Sequence, residues 1–274
     1  MKKITNKDQE PESDYININR QLWDDKVDAH FNSDFYEVRQ FIEGKTSLNE
    51  FELDLLGDVA NLDALHLQCH FGMDTLSLAR MGANVTGMDL SPKAIEKAEV
   101  LKGITQLPAH FVCSDVYNLP ENLKGKFDLI FTSYGTIGWL PDLDKWAAVV
   151  KHFLKKGGRF LIVEFHPVVW MFANDFSKIE YSYFNRIPIV ETTTGTYADR
   201  DAPIQGSSVS WNHDLSEVMT ALMNQGLSIT QFREFDYSPY NCFENTVEFE
   251  PGKFQIKGLE GLIPMVYGLL MVNG

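Results

Sequence analysis

Two carboxylates and one unusual loop carry the chemistry of this chain. Asp89 ends the run Asn-Val-Thr-Gly-Met-Asp over Asn84–Asp89 and stands just ahead of Leu90 and Ser91-Pro92. An acid at the end of a short apolar run, before a helix start, is placed to accept the two hydroxyls of a ribose. Asp115, in Cys-Ser-Asp-Val over Cys113–Val116, is the second acid. The loop reads Gln68-Cys69-His70-Phe71-Gly72. A dinucleotide site needs Gly-x-Gly-x-x-Gly, because backbone must close on a pyrophosphate at a helix N-terminus. Bulky side chains stand where those glycines belong, so a phosphate-free adenosyl ligand fits better. S-adenosylmethionine is the common one. His66, Cys69 and His70 suggest a metal, but strand alternation sends Cys69 to the other face and no further ligand pair follows, so no metal is expected.

These residues need a scaffold that brings strand ends together. Ala64–Gln68 is short and largely apolar, which suits a strand buried on both faces of a parallel sheet. Gly72 opens a helix carrying Leu76, Leu78, Ala79 and Met81, and Gly82 closes it. Asn84–Met88 is the next strand, and Ser91 with Pro92 starts another helix, Pro92–Lys102. Strand Ala109–Cys113, a loop from Asp115 to Lys126 and strand Phe127–Thr132 follow. The glycine-bearing loop Ser133–Gly138 comes next, then helix Asp142–Leu154 with Trp146, Val149, Val150 and Phe153 as its buried stripe. Gly157-Gly158 turns into strand Arg159–Glu164. Strands alternating with helices predict a doubly wound parallel sheet whose ligand lies beyond the strands' carboxyl ends.

Four segments in order resemble the class I S-adenosylmethionine-dependent methyltransferases. Ala64–Gly72 resembles their first motif, with Gln68 and His70 at the first two glycine positions, Gly72 at the third and His66 replacing the usual acid. A subset of the family looks similar in its Leu-Gln-Cys-His-Phe-Gly loop. Val85–Ser91 matches the second motif, which assigns the ribose to Asp89 beside Leu90 and Ser91. Cys113–Val116 resembles the third, where the acid, here Asp115 next to Val116, meets the adenine amino group. Phe127–Ser133 and Leu154–Val163 look like strands four and five. The resemblance implies a Rossmann-like seven-stranded α/β sheet, with strand seven antiparallel between five and six. It also implies an N-terminal helical segment folded over the cofactor as a lid, with Tyr15, Arg20 and Trp23 as contact candidates.

The rest of the chain divides around that core. Residues 1–60 form the helical extension, 61–165 the cofactor core, 166–212 an inserted cap and 213–274 the completion of the sheet. Met1–Asp14 is charged and proline-containing and is expected to be mobile; it has no apolar core and does not read as a signal peptide. Helices are expected over Tyr15–His30 (Leu22, Trp23 and Val27 inward), over Ser33–Ile42 (Phe35, Val38, Ile42) and after the capping-box pattern Ser47–Glu50. The aromatic-rich insert places short strands at Ile187–Val190 and Ser207–Trp211. Helix Asp214–Gln225 turns Val218, Leu222 and Met223 inward; strands Leu227–Phe235 and Leu262–Val272 flank an irregular Asp236–Gly261.

A formal charge of -14 over 274 residues, with no run of Lys and Arg, argues against nucleic acid or an anionic membrane as partner. Three scattered cysteines favour reduced thiols in a cytoplasmic protein, expected as monomer or homodimer. Leu262–Val272 is too short to span a bilayer. The expected activity is in-line methyl transfer to O or N of a small-molecule acceptor. The cofactor-contact set is Tyr15, Trp23, Gln68, His70, Gly72, Asp89, Leu90, Ser91, Asp115, Val116 and Ser133. Tyr134 and His166, near the ends of strands four and five, are the candidate bases. Two alternatives remain open: a non-catalytic binder of the cofactor or its product, and a nicotinamide oxidoreductase.

Overall fold

The computed structural model describes residues 14–274. The polar tail expected over Met1–Asp14 lies, but for Asp14, outside them. Three helices come first: α1 (Tyr15–Asn32), α2 (Val38–Ile42) and α3 (Glu50–Leu56). The alternating core follows as β1 (Asp63–Leu67), α4 (Met73–Arg80), β2 (Asn84–Asp89), α5 (Pro92–Thr105), β3 (Ala109–Cys113), α6 (Leu119–Asn122), β4 (Phe127–Ser133), α7 (Leu143–Phe153) and β5 (Leu154–Phe165). The remainder contains the hairpin β6 (Ile189–Thr194) and β7 (Gln205–Ser210), then α8 (Leu215–Asn224), β8 (Leu227–Phe235), the hairpin β9 (Thr246–Glu250) and β10 (Lys253–Ile256), and β11 (Val266–Asn273).

One seven-stranded sheet runs β3-β2-β1-β4-β5-β11-β8. β1 to β5 are parallel, and β11 is antiparallel to both neighbours, β5 and β8. Strand order reverses between β1 and β4, which opens a crevice at their carboxyl ends. Alternation along β1 sends Leu65 and Leu67 to the face where Trp146, Val150 and Phe153 of α7 and Leu222 of α8 pack. It sends Ala64 to the opposite face, among Leu55 and Leu56 of α3 and Leu78 of α4. Both faces are therefore covered, which is why these strands read as apolar runs.

Several expectations shift. Glu37 adopts a left-handed φ of 48° and resets the helical phase, so only Val38–Ile42 is helical and Phe41, not Ile42, turns inward. The capping box forms two residues later than expected: Glu52 accepts the Asn49 backbone N–H at 3.0 Å, while the Ser47 hydroxyl bonds Asp74. β5 begins at Leu154, ahead of the glycine pair, and a short α6 lies inside the expected loop. In α8, Met223 is 53% exposed and Ala221 takes the inward place. Among the described residues no helix is long and apolar enough to cross a membrane.

Candidate functional site

A cavity of about 1290 Å³ lies at the carboxyl ends of β1, β2 and β4, roofed by α1 and the β6–β7 hairpin. The roof is stitched together by one side chain. Asn19 of α1 donates from Nδ2 to the Val209 carbonyl at 2.8 Å and accepts the Val209 N–H on Oδ1 at 3.0 Å. The amide thus satisfies both backbone groups of a strand edge that would otherwise lie buried and unpaired.

Asp89 sits in the cavity wall. Its Oδ2 accepts the His70 N–H at 2.8 Å and its Oδ1 the Ser91 N–H at 2.9 Å. Burial nevertheless pushes its pKa up to about 6, these backbone bonds opposing the rise. A carboxylate oxygen accepts more than one hydrogen bond, so both oxygens keep capacity for ligand hydroxyls. Ser91 itself does not line the cavity. Its hydroxyl accepts the Ala94 N–H as N-cap of α5 and donates to Asp24, while its backbone N–H holds Asp89 in place.

The loop after β1 explains how the chain manages without the usual glycines. Gln68, His70 and Gly72 all have left-handed backbones, with φ of 55°, 50° and 79°. The conformation that glycine serves is retained by two non-glycine residues, at about 1–2 kcal/mol each. Contacts compensate. The Gln68 Nε2 donates to the Thr136 carbonyl at 2.8 Å, and the His70 Nε2 stands 3.0 Å from the His30 Nδ1 on α1. Trp23 meets His70 and Trp139 edge-on at 5.3 and 5.5 Å between centroids. Burial lowers both histidines, His30 to about 3, so the pair is neutral. Gln68 Oε1 and His70 Nδ1 are buried without a hydrogen-bond partner.

Gly72 lines the cavity, and packing by itself also requires a glycine there. A Cβ there would lie 2.7 Å from two ring atoms of Phe111, so the glycine lets α4 start against β3. Gly87 plays the same part toward Thr75 and Cys69, which a Cβ would meet at 2.8 and 2.9 Å. His66 is turned to the helix side, its Nδ1 at 2.8 Å from the Thr75 hydroxyl and its ring stacked on Phe131. Among the described residues no three His, Cys, Asp or Glu side chains converge as a metal site.

Tyr15, Trp23, Leu90, Asp115, Val116, Ser133 and Tyr134 all line the cavity. His166 does not. It is 3% exposed, its Nε2 lies 3.0 Å from Glu234 of β8, and its backbone N–H bonds Met265 at 2.8 Å. The chain turns away from the crevice as β5 ends, which carries His166 under the β11–β8 edge and removes it as a candidate base. Arg20 is also outside the wall, although its charge is felt by Asp115.

Two buried acids, Glu164 and Glu52, and the half-buried Asp74 escaped the sequence reading. Glu164 accepts backbone N–H groups from Thr136 at 2.8 Å, from Phe165 at 2.7 Å and from Gly135, and so fixes the loop after β4. Asp74, at the start of α4, accepts the Ser47 hydroxyl at 2.6 Å and the Ser133 hydroxyl at 3.2 Å. Glu52 is fully buried with its pKa raised to about 7 by burial first and Asp74 second. An acid inside the apolar run Phe160–Phe165 was the one available signal for Glu164.

Residues 64–158 match the sequence pattern of a methyltransferase domain. Over the full sheet, a solved S-adenosylmethionine-dependent methyltransferase from Clostridium acetobutylicum superposes with a TM-score of 0.56 at 19% identity, covering 94% of this chain and 98% of that one. The fold is that of the class I methyltransferases. An uncharacterized methyltransferase of a Synechocystis species is 33% identical over 133 residues, 48% of this chain and 60% of that protein. A sterol 4-C-methyltransferase of Caenorhabditis elegans is 24% identical over 178 residues, 62% of this chain and 51% of that protein. The chain thus spans 60% and 51% of the length of these two curated relatives.

The wall fits the ligand which that fold implies. Asp89 offers two oxygens with spare acceptor capacity, Asp115 stands at the end of β3, and Gln68 Oε1 is a buried acceptor waiting for a donor. The loop carries bulky side chains rather than bare amides, which suits a ligand without a pyrophosphate.

Proposed function

We propose that this protein is an S-adenosylmethionine-dependent methyltransferase acting on oxygen or nitrogen of a small-molecule acceptor. The observation that carries the reading is Asp89: an acid at the carboxyl end of β2, in the wall of a crevice at the switch in strand order. When bound, S-adenosylmethionine supplies a methyl group on a sulfonium, with its leaving group already activated.

The chain's own residues then bind, orient and exclude water. Asp89 accepts the ribose hydroxyls, Ser91 holds Asp89, and Leu90 and Val116 flank the base whose amino group Asp115 accepts. Gln68 and His70 hold the amino-acid end with the acceptor and ring atoms left unpartnered in the cavity. Tyr15 and Trp23 cover the ligand from α1, and Ser133 and Tyr134 stand at the end of β4 beside it. Holding an acceptor in line under this roof supplies about 7–11 kcal/mol of the barrier through positioning alone. A protonated acceptor also needs a proton sink; the Glu52 and Asp74 carboxylates are the groups available, whereas burial pushes the Tyr134 hydroxyl further up and leaves it protonated, a donor that can only position the acceptor.

Calorimetric titration with S-adenosylhomocysteine and, separately, with NAD tests the reading. Binding of the first and not the second is expected, with release of S-adenosylhomocysteine when the protein and S-adenosylmethionine meet a mixture of small metabolites. Binding of NAD in preference would move the protein to the oxidoreductases, and binding without turnover would leave a non-catalytic binder.

A further inference from the structure

A different part of the same cavity is built from groups that the adenosyl ligand does not explain. Tyr36, Tyr134, Tyr197 and Tyr240 line it together with Asp74. They form one connected wall. The Tyr36 and Tyr197 hydroxyls bond each other, Tyr134 and Tyr240 meet edge-on at 5.0 Å between centroids, and the Tyr240 hydroxyl accepts the Asn49 Nδ2 at 2.7 Å. Glu52 stands behind them, beside Tyr134 and Asp74. The Tyr134 hydroxyl is buried and has no well-formed hydrogen bond.

Among the described residues no positive charge compensates these acids. The groups acting on Asp74 are the Ser47 and Ser133 hydroxyls, and those acting on Glu52 are Asp74, Tyr134 and Asn49. The cations elsewhere in the wall are engaged: Lys45 pairs with Glu37, Lys26 lies over the Trp23 ring, and Arg200 donates to the Phe243 carbonyl. A buried carboxyl group, Glu52, beside a half-buried one, Asp74, without a counter-ion is costly, and an aromatic wall offers the negative faces of its rings to a positive charge. A neutral hydroxyl compound would leave both needs unmet.

We propose that this part of the cavity is a subsite for a small organic cation, an alkylammonium group, seated over Asp74 and enclosed by Tyr36, Tyr134, Tyr197 and Tyr240. As the site of the methyl acceptor it rests on the methyltransferase reading; as a cation site it stands without it. The cavity of about 1290 Å³ exceeds the roughly 300–1,000 Å³ that holds one drug-sized ligand, so both occupants have room.

The test is calorimetric titration of the full chain, free and saturated with S-adenosylhomocysteine, with tetramethylammonium chloride. tert-Butanol serves as the uncharged size match and sodium chloride as the salt control. The cation is expected to bind at least about tenfold more tightly than the alcohol, and Asp74→Asn to weaken the cation at least about tenfold. Equal affinity for cation and alcohol overturns the subsite, as does an Asp74→Asn protein that binds the cation as wild type does. Should that variant not fold, the comparison of cation with alcohol on the wild-type chain decides alone. Binding of S-adenosylhomocysteine without the cation refutes this subsite only, whereas binding of the cation without S-adenosylhomocysteine refutes the methyltransferase reading only.

Discussion

Asp89→Asn removes one charge while keeping the side chain's shape, and its consequences follow from the site. Burial holds the Asp89 carboxyl at about 6 instead of 3.8. At 1.36 kcal/mol per pH unit, ionising it costs the folded, ligand-free protein up to about 3 kcal/mol, less whatever cavity water screens. Because the folded pKa lies above the unfolded one, this stability is fully present below pH 3.8 and is lost as pH rises through about 6. Asparagine abolishes that loss. It also has one acceptor oxygen where the carboxylate has two, so either His70 or Ser91 loses the partner of its N–H. An unsatisfied buried donor costs about 1–3 kcal/mol. The two effects oppose each other, and at pH 7.5 the ligand-free variant is expected within about 1–2 kcal/mol of wild type. Ligand binding has no such compensation. Charge-assisted bonds to ribose hydroxyls are worth about 1.5–3 kcal/mol each, so affinity for S-adenosylhomocysteine should fall by at least about tenfold. Denaturant unfolding at pH 4, 5.5 and 7.5, paired with calorimetric titration, reads both quantities. A folded variant that binds the ligand as tightly as wild type would refute the reasoning at its root, and an unaltered pH slope would refute the account of the carboxyl.

Gly72→Ala brings a Cβ to 2.7 Å from the Phe111 ring at a left-handed φ of 79°, and should lower unfolding free energy by about 2–4 kcal/mol. Gly135→Ala, with φ of 72° and nothing within 4 Å, is the control that carries the backbone cost of about 1 kcal/mol alone; equal losses in thermal denaturation would discount the ring. Asn19→Ala strands both backbone groups of Val209 and should cost about 1–3 kcal/mol locally, seen as faster hydrogen exchange of the Val209 amide. Unchanged protection there would show that the amide does not latch α1 to β7. Glu52 has its pKa raised to about 7 from 4.5, so its contribution is present below pH 4.5 and lost as pH rises through about 7. Glu52→Gln keeps an acceptor for Asn49 and should be the more stable protein at pH 8.5, by up to about 3 kcal/mol, with the gain absent at pH 4. A variant no more stable than wild type at the higher pH would contradict the burial of that charge.

Much of the architecture was legible in the sequence alone. Ser91 followed by Pro92 specifies a helix start through its own hydroxyl and ring, and the N-cap bond to Ala94 forms at 3.0 Å. Trp146, Val149, Val150 and Phe153 recur at helical spacing and are all buried on α7. Asp89 ends a strand whose alternation is set by its neighbours in sequence. Such features depend on residues within about one or two turns, so local chemistry decides them. The doubly wound sheet follows because successive β–α pairs have few ways to cover both faces.

What only the tertiary structure decided concerns groups far apart in the chain. His166 follows β5 directly, as a base would, yet pairs with Glu234 after the chain has turned away. Gly72 owes its lack of a side chain to Phe111, nearly forty positions on, and Gln68 and His70 keep left-handed backbones that their types disfavour because Thr136 and His30 hold them. Asp74, Glu52, Tyr36 and Tyr240 come from four segments, and no spacing in the sequence announces that they meet. A buried charge or a strained backbone is tolerated only where distant packing compensates it, and compensation of that kind is a property of the closed fold, not of any stretch of the chain.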